Sequence, residues 1–314
     1  MLLFPLAHTA SLRAAIVLDG TDRRIDPTEL PSAQQVAAGW ATHSRAGARV
    51  EVPDRRLREA IAASTRFLLL ASDDKEVARD HDAGRALAVI AARSRVTWAR
   101  RSVDAVWIAG LVQRWAQGDR LDDEVLGYAA LPAIADLLDA IGEARGAADV
   151  RAIRRTHPSP ARELDDPASL LASASPTWTW ATDRSGHDLA VNASLLLAVR
   201  DQMVAELDDG LALSPVVPEA WLGQGWEVHD LPTRYGRLSF AIRWHGERPA
   251  LLWELEPHDG IVSVRLTTPA LDPAWSSTEV KGEALLAPVA VPERPRERRG
   301  LTIPVTIEPV RRRP

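Results

Sequence analysis

Arg237-Leu238-Ser239-Phe240-Ala241-Ile242-Arg243-Trp244, with the turn His245-Gly246-Glu247-Arg248 behind it, decides half of the fold. Leu238, Phe240, Ile242 and Trp244 alternate with Arg237, Ser239, Ala241 and Arg243. A period of two belongs to a strand with one buried face. Leu251, Trp253 and Leu255 begin a returning strand, and after Asp259-Gly260 the residues Val262, Val264 and Leu266 repeat the alternation. The expectation is a meander of at least three antiparallel strands, with Leu211–Val217 and Trp226–Leu231 as further strands of the same unit.

Upstream the period changes. Pro53-Asp54 opens a helix in which Leu57, Ile61, Ser64 and Leu68 share a face. Asp80–Arg93 is alanine-rich and helical, and the run from Ser102 through Val106, Trp107, Ile108, Leu111, Val112 and Trp115 is apolar on more than one side. Pro132 suits a first helical turn, followed by Ile134, Leu137, Leu138 and Ile141. The last helix is expected from His187 to Leu207, with Leu189, Asn192, Leu196, Val199 and Met203 in one stripe. Short polar connections without intervening strands mean antiparallel helical hairpins. The fold class is therefore α+β, with helical hairpins over residues 31–208 and a β-sandwich over 209–288. Met1–Leu18 reads as strand, so residues 1–30 are taken as the remnant of an upstream β element. Residues 289–314 form a tail rich in Pro and Arg. Seven Arg against three Glu make 293–313 locally +4, a solvated tail or a phosphate- or partner-binding arm.

Composition narrows the function. The 314 residues are 46% hydrophobic and 26% charged, which excludes wholesale disorder. A formal charge of -5 excludes a generally basic nucleic-acid binder, so no nucleic acid is expected as a partner. There is no cysteine, hence no disulfide, no Cys-ligated metal and no thiol nucleophile. No cofactor and no metal are expected, since no His/acid spacing, P-loop, G-x-G-x-x-G or G-x-S-x-G stands in the chain. The apolar start Met1–Ala7 lacks a basic region and contains Pro5, and no run reaches the roughly 18 residues of a membrane helix. No membrane association and a cytoplasmic location are the expectations. The aromatic set is biased to 11 Trp against 3 Phe and 2 Tyr. Trp offers a flat face that suits a sugar ring, and it equally fills a core.

Leu213-Ser214-Pro215-Val216-Val217-Pro218-Glu219-Ala220-Trp221-Leu222 directly follows the last helix, and Pro232-Thr233-Arg234-Tyr235-Gly236-Arg237-Leu238-Ser239 comes soon after. With Glu51-Val52-Pro53-Asp54 before the first long helix, these words resemble the six-hairpin glycosidase superfamily over roughly residues 45–290. The resemblance implies an (α/α) toroid followed by a β-sandwich, and action on a carbohydrate ligand, by inverting water attack where the member is active. A full toroid has twelve helices, and this sequence supplies six or seven. The chain is then a C-terminal portion or a reduced member, whose exposed helical face a partner chain or self-association would complete.

Glycoside hydrolysis needs two carboxyl groups about 5–9.5 Å apart. Forty-three acidic residues discriminate nothing, so position decides. The resemblance places substrate where inner helices begin. Thr177-Trp178-Thr179-Trp180-Ala181-Thr182-Asp183-Arg184-Ser185-Gly186-His187-Asp188 leads into the last helix and gathers the candidates. Trp178 and Trp180 would stack on sugar faces or cover core; Arg184 and His187 would bind hydroxyls. Asp183 and Asp188 are the acid/base candidates, Asp188 alternatively a first-turn residue matched to the helix dipole. Asn192 either ties this loop down or faces a polar cavity. Asp104, opening the Trp107 helix, is either a dipole partner or a further acid. The functional expectation is a glycoside hydrolase-like protein that binds or hydrolyses a glycoside. The alternative is a non-catalytic relative acting as subunit or scaffold through its exposed helical face.

Overall fold

The computed structural model describes residues 25–45, 47–70, 82–96, 105–117, 124–157, 166–180 and 188–291. Among these the chain is mixed α+β, with eight α-helices coming before most of the strands. The helices are α1 (Ala33–Arg45), α2 (Arg55–Leu70), α3 (Ala83–Val96), α4 (Ala105–Gln117), α5 (Glu124–Ala140), α6 (Ala144–Thr156), α7 (Pro167–Ala172) and α8 (Leu189–Met203). The expected strand over Met1–Leu18 and nearly all of the Pro- and Arg-rich tail lie outside the described residues.

Helix α3 is the centre of the helical part. Its residues Ala86 to Ala92 are all at most 3% exposed, which is how a helix packed on every side must read. It lies against α5 and α8, and α8 also packs on α2. Asp54 caps α2, accepting from the Leu57 N–H at 3.1 Å, and Leu57, Ile61, Ser64 and Leu68 are buried as one face. Helix α4 buries Ile108, Leu111, Val112 and Trp115 but leaves Val106 83% exposed, so its apolar run is one-sided after all. Pro132 lies inside α5 and does not start it. The helix begins at Glu124 because Leu126, Ala130 and Leu131 are buried, and that packing outweighs the one missing N–H donor. Among the described residues, the large exposed apolar side chains within helices, Val36, Leu70 and Val106, fall one each on α1, α2 and α4.

The strands form two sheets. One has the order β1-β4-β5-β6-β9, from β1 (Arg49–Glu51), β4 (Trp226–Thr233), β5 (Gly236–His245), β6 (Arg248–Pro257) and β9 (Lys281–Leu285), antiparallel throughout. The other has the order β2-β3-β7-β8, from β2 (Val204–Leu207), β3 (Gly210–Leu213), β7 (Arg265–Thr268) and β8 (Asp272–Ser277), with β3 and β7 parallel. Leu238, Phe240, Ile242, Leu251, Trp253 and Leu255 are all buried on one face, and Trp253 meets Trp275 of the second sheet edge to face at 5.2 Å. The β5–β6 hairpin stands where the alternation puts it, with Leu238 opposite Leu255 and Phe240 opposite Trp253.

Two expectations change here. The third strand of the meander leaves for the other sheet: the chain turns at Gly260 (φ +84°), Val262 is 99% exposed, and Leu266 is buried beside Leu211 in parallel register. The place beside β6 goes to β9. The last helix also stops early, at Met203, and Val204–Leu207 is a strand paired with Leu213–Gly210. Thus residues 49–51 and 204–207, read as part of the helical segment, belong to the sheets and join the two halves.

Candidate functional site

The loop between α7 and α8 is built from hydroxyls. Ser175 Oγ lies 3.0 Å from Thr177 Oγ1 and 2.8 Å from Thr179 Oγ1, and the two threonine hydroxyls are 3.2 Å apart. The Thr177 and Thr179 N–H groups donate to Ser175 Oγ, and the Ser175 N–H donates to the Thr179 carbonyl at 2.9 Å. This closed turn holds Trp178 at φ +59°, the left-handed region, where a bulky side chain is strained by about 1–2 kcal/mol. Trp178 is half-buried, and the Arg56 guanidinium of α2 stands 5.7 Å from its ring centroid.

Beneath the turn lies Asn192, completely buried. Its amide donates to Ser64 Oγ at 2.9 Å and to the Trp178 carbonyl at 3.4 Å, so it ties the loop to α2 and α8. Its Oδ1 has no hydrogen-bond partner among the described residues. Asp188 caps α8, accepting from the Ala190 N–H at 2.9 Å and the Val191 N–H at 3.3 Å. Its other oxygen faces Arg85 Nη1 at 3.3 Å, and its own N–H donates to the Trp180 carbonyl at 2.8 Å. Arg85 also pairs with Asp82, which caps α3 by accepting from the Arg85 N–H. Trp180 is 6% exposed and donates its indole N–H to the Leu170 carbonyl and Ser173 Oγ, at 3.1 and 3.2 Å. The structure therefore gathers Trp178, Asp188 and Asn192 at one end of α8, with the Trp180 ring in the core below. Asp183, Arg184, His187 and Asp104 lie outside the described residues.

Sequence reading left out three contributors. Ser64 carried a signal: a polar residue on the apolar face of α2, facing a polar residue on the apolar stripe of α8, marks a buried hydrogen bond. Arg56 and Arg85 carried none, since an arginine on a helix surface looks like any other.

A second polar cluster joins helices to sheets. Arg95, with its side chain 6% exposed, donates to Asp136 at 2.5 Å and to Glu206 at 2.7 Å. Arg200 also pairs with Glu206, and Arg151 reaches Asp136 at 3.3 Å and Asp139 at 2.5 Å. Burial pushes the Glu206 carboxyl up, but Arg95 and Arg200 outweigh it and hold the group below the usual glutamate range. At Asp136 burial wins over Arg95 and Arg151, and the carboxyl is raised. Every charge here faces an opposite one, so the cluster is built to be closed. Among the described residues no group of His, Asp and Glu could hold a metal ion, and no helix is long and apolar enough to cross a membrane.

The chain matches no protein-family model, and no characterised protein or solved structure is detectably similar to it.

Proposed function

We propose that this chain is a carbohydrate-binding relative of the six-hairpin glycosidases, an α/α toroid portion followed by a β-sandwich, which holds a glycoside at Trp178. The observation that carries the reading is Trp178 itself. A bulky aromatic kept in a strained backbone region and left half-exposed is a feature that packing alone does not require. Around it stand three adaptable hydroxyls and a guanidinium, partners suited to sugar hydroxyls, while the indole suits the apolar face of a pyranose.

Binding is favoured over hydrolysis by the surroundings of Asp188. Its carboxylate is already engaged, one oxygen capping α8 through two backbone amides and the other facing Arg85 at 3.3 Å. Among the described residues the large apolar side chains exposed within helices fall one to a helix, and the scaffold reading rests on no further observation. The test is thermal unfolding and calorimetric titration with glucosides, mannosides and oligosaccharides. Ligand at about 100 times its dissociation constant adds about 2.7 kcal/mol to stability. The wild-type midpoint is expected to rise with one sugar class and the midpoint of Trp178→Ala to stay fixed. No response to any sugar in the wild type, or an equal response in Trp178→Ala, overturns the reading.

A further inference from the structure

We propose that the saccharide held at Trp178 is acidic, its uronate carboxylate taken by the guanidinium of Arg56; this rests on the carbohydrate reading above. The arginines of α2 are satisfied in different ways. Arg55 pairs with Glu59 at 2.8 Å, Arg58 donates to the carbonyls of Val52 and Pro53 at 2.5 and 3.2 Å, and Arg66 donates to the Ala62 carbonyl at 2.9 Å. Arg56 is exposed and has only a long 3.5 Å contact from Nη2 to the Leu171 carbonyl. Among the described residues no carboxylate pairs with it. Its planar fork is therefore open, and it is parked over the one ring of the site that is strained and half-exposed.

Asp82 and Asp188 both face Arg85, and each caps the N-terminus of a helix, α3 or α8. A ligand carboxylate would supply the counter-charge that Arg56 lacks among the described residues. A guanidinium fork matches a carboxylate in two parallel hydrogen bonds, and a pyranose bearing that carboxylate offers its C–H face to Trp178. Hydroxyl groups of the sugar would find partners in the exposed Thr177 and in the Ser175–Thr179 hydroxyl cluster.

The experiment is calorimetric titration of the full chain with glucuronate-containing oligosaccharides, neutral glucose oligosaccharides of the same linkage, and a glucose phosphate. The expected result is that the glucuronate ligand binds about tenfold tighter than its neutral twin, the difference a single charge-assisted contact makes. That preference is expected to vanish in Arg56→Gln and to shrink when salt is raised, because the contact is exposed. Arg56→Gln without ligand should melt with the wild type, which separates lost recognition from lost folding. Equal affinity for the two oligosaccharides, a preference that survives in Arg56→Gln, or tighter binding of the phosphate overturns the inference and leaves the carbohydrate reading standing. If no saccharide binds, the carbohydrate reading falls and the inference falls with it.

Discussion

Glu206→Gln tests the joint between helices and sheets. The Glu206 side chain is 10% exposed and accepts from Arg95 at 2.7 and 3.3 Å, from Arg200, and from the Arg234 N–H at 3.3 Å. Glutamine keeps the shape but removes the charge. Arg95 then retains Asp136, but the only carboxylate left to Arg200 among the described residues is Asp201, at 3.3 Å and 61% exposed. Arg200 thus becomes a buried cation without a buried anion, and removing one partner of a buried pair costs about 3–5 kcal/mol. At about 2–4 °C per kcal/mol the melting midpoint, followed by circular dichroism, is expected to fall by at least about 6 °C. Replacing Arg200 and Glu206 together by methionine should recover much of that loss, since Arg95 and Asp136 keep each other and no lone charge remains. The pH dependence has a definite sign. Glu206 is held below its usual range when folded, so its contribution is complete above about pH 4.3 and is lost as pH falls through the folded value. Asp136, raised by burial, works in the opposite sense, and its penalty is relieved as pH falls. The gap between wild type and Glu206→Gln should therefore close in acid. A midpoint for Glu206→Gln within about 1 °C of wild type at pH 7 would refute the argument that Glu206 is what compensates Arg200.

Asp188→Ala removes a cap and an ion-pair partner and should lower stability by about 1–2 kcal/mol in urea titration, while Asp188→Asn, which caps equally well, should lose under about 1 kcal/mol. Equal losses would mean that pairing with Arg85, and not capping, is the role of this carboxylate. Gly127→Ala puts a methyl carbon 1.9 Å from the buried Trp115 Nε1, where no side-chain carbon fits. Overpacking of this kind costs about 1–3 kcal/mol, and because Trp115 stacks on His157 at 4.6 Å, Trp fluorescence should shift along with the midpoint.

The strands of the β5–β6 hairpin were legible because alternation is a local property: each residue of 237–244 declares its face. Pairing between distant strands is not local. Nothing within Arg49–Glu51 announces that it will lie against Glu227–His229, and nothing in 262–268 announces a parallel partner in β3. The end of α8 was misread for a related reason. Val204 continues the apolar stripe and is itself buried, so periodicity runs on where hydrogen bonding has already changed to β3. In the candidate site, Trp178 and Asn192 were found because a tryptophan pair in a polar loop and an amide on an apolar stripe are both unusual. Arg56 matters through what it stands over, and no sequence pattern encodes that.

Two of the three sequence words that suggested the superfamily owe much of their form to the joint. In Pro232–Gly236 the Thr233 hydroxyl donates to the Gly236 carbonyl at 2.7 Å and accepts from the Tyr235 and Gly236 N–H groups at 3.2 Å, closing the β4–β5 turn on itself. Tyr235 sends its hydroxyl to the Leu207 carbonyl at 2.5 Å, and Gly236, at φ +152°, lies where a Cβ would sit 2.1 Å from the Glu256 carbonyl oxygen. The Pro232 carbonyl and the Arg234 N–H face Arg95 and Glu206. In the other word, Ser214 accepts the indole N–H of buried Trp226 at 2.9 Å, and Trp221 packs on Trp226 at 5.8 Å. Ser214, Trp221, Thr233, Tyr235 and Gly236 thus each answer a requirement of the sheets or of their junction with the helices. The Trp178 loop stands at the opposite end of α8, fastened there by Asn192.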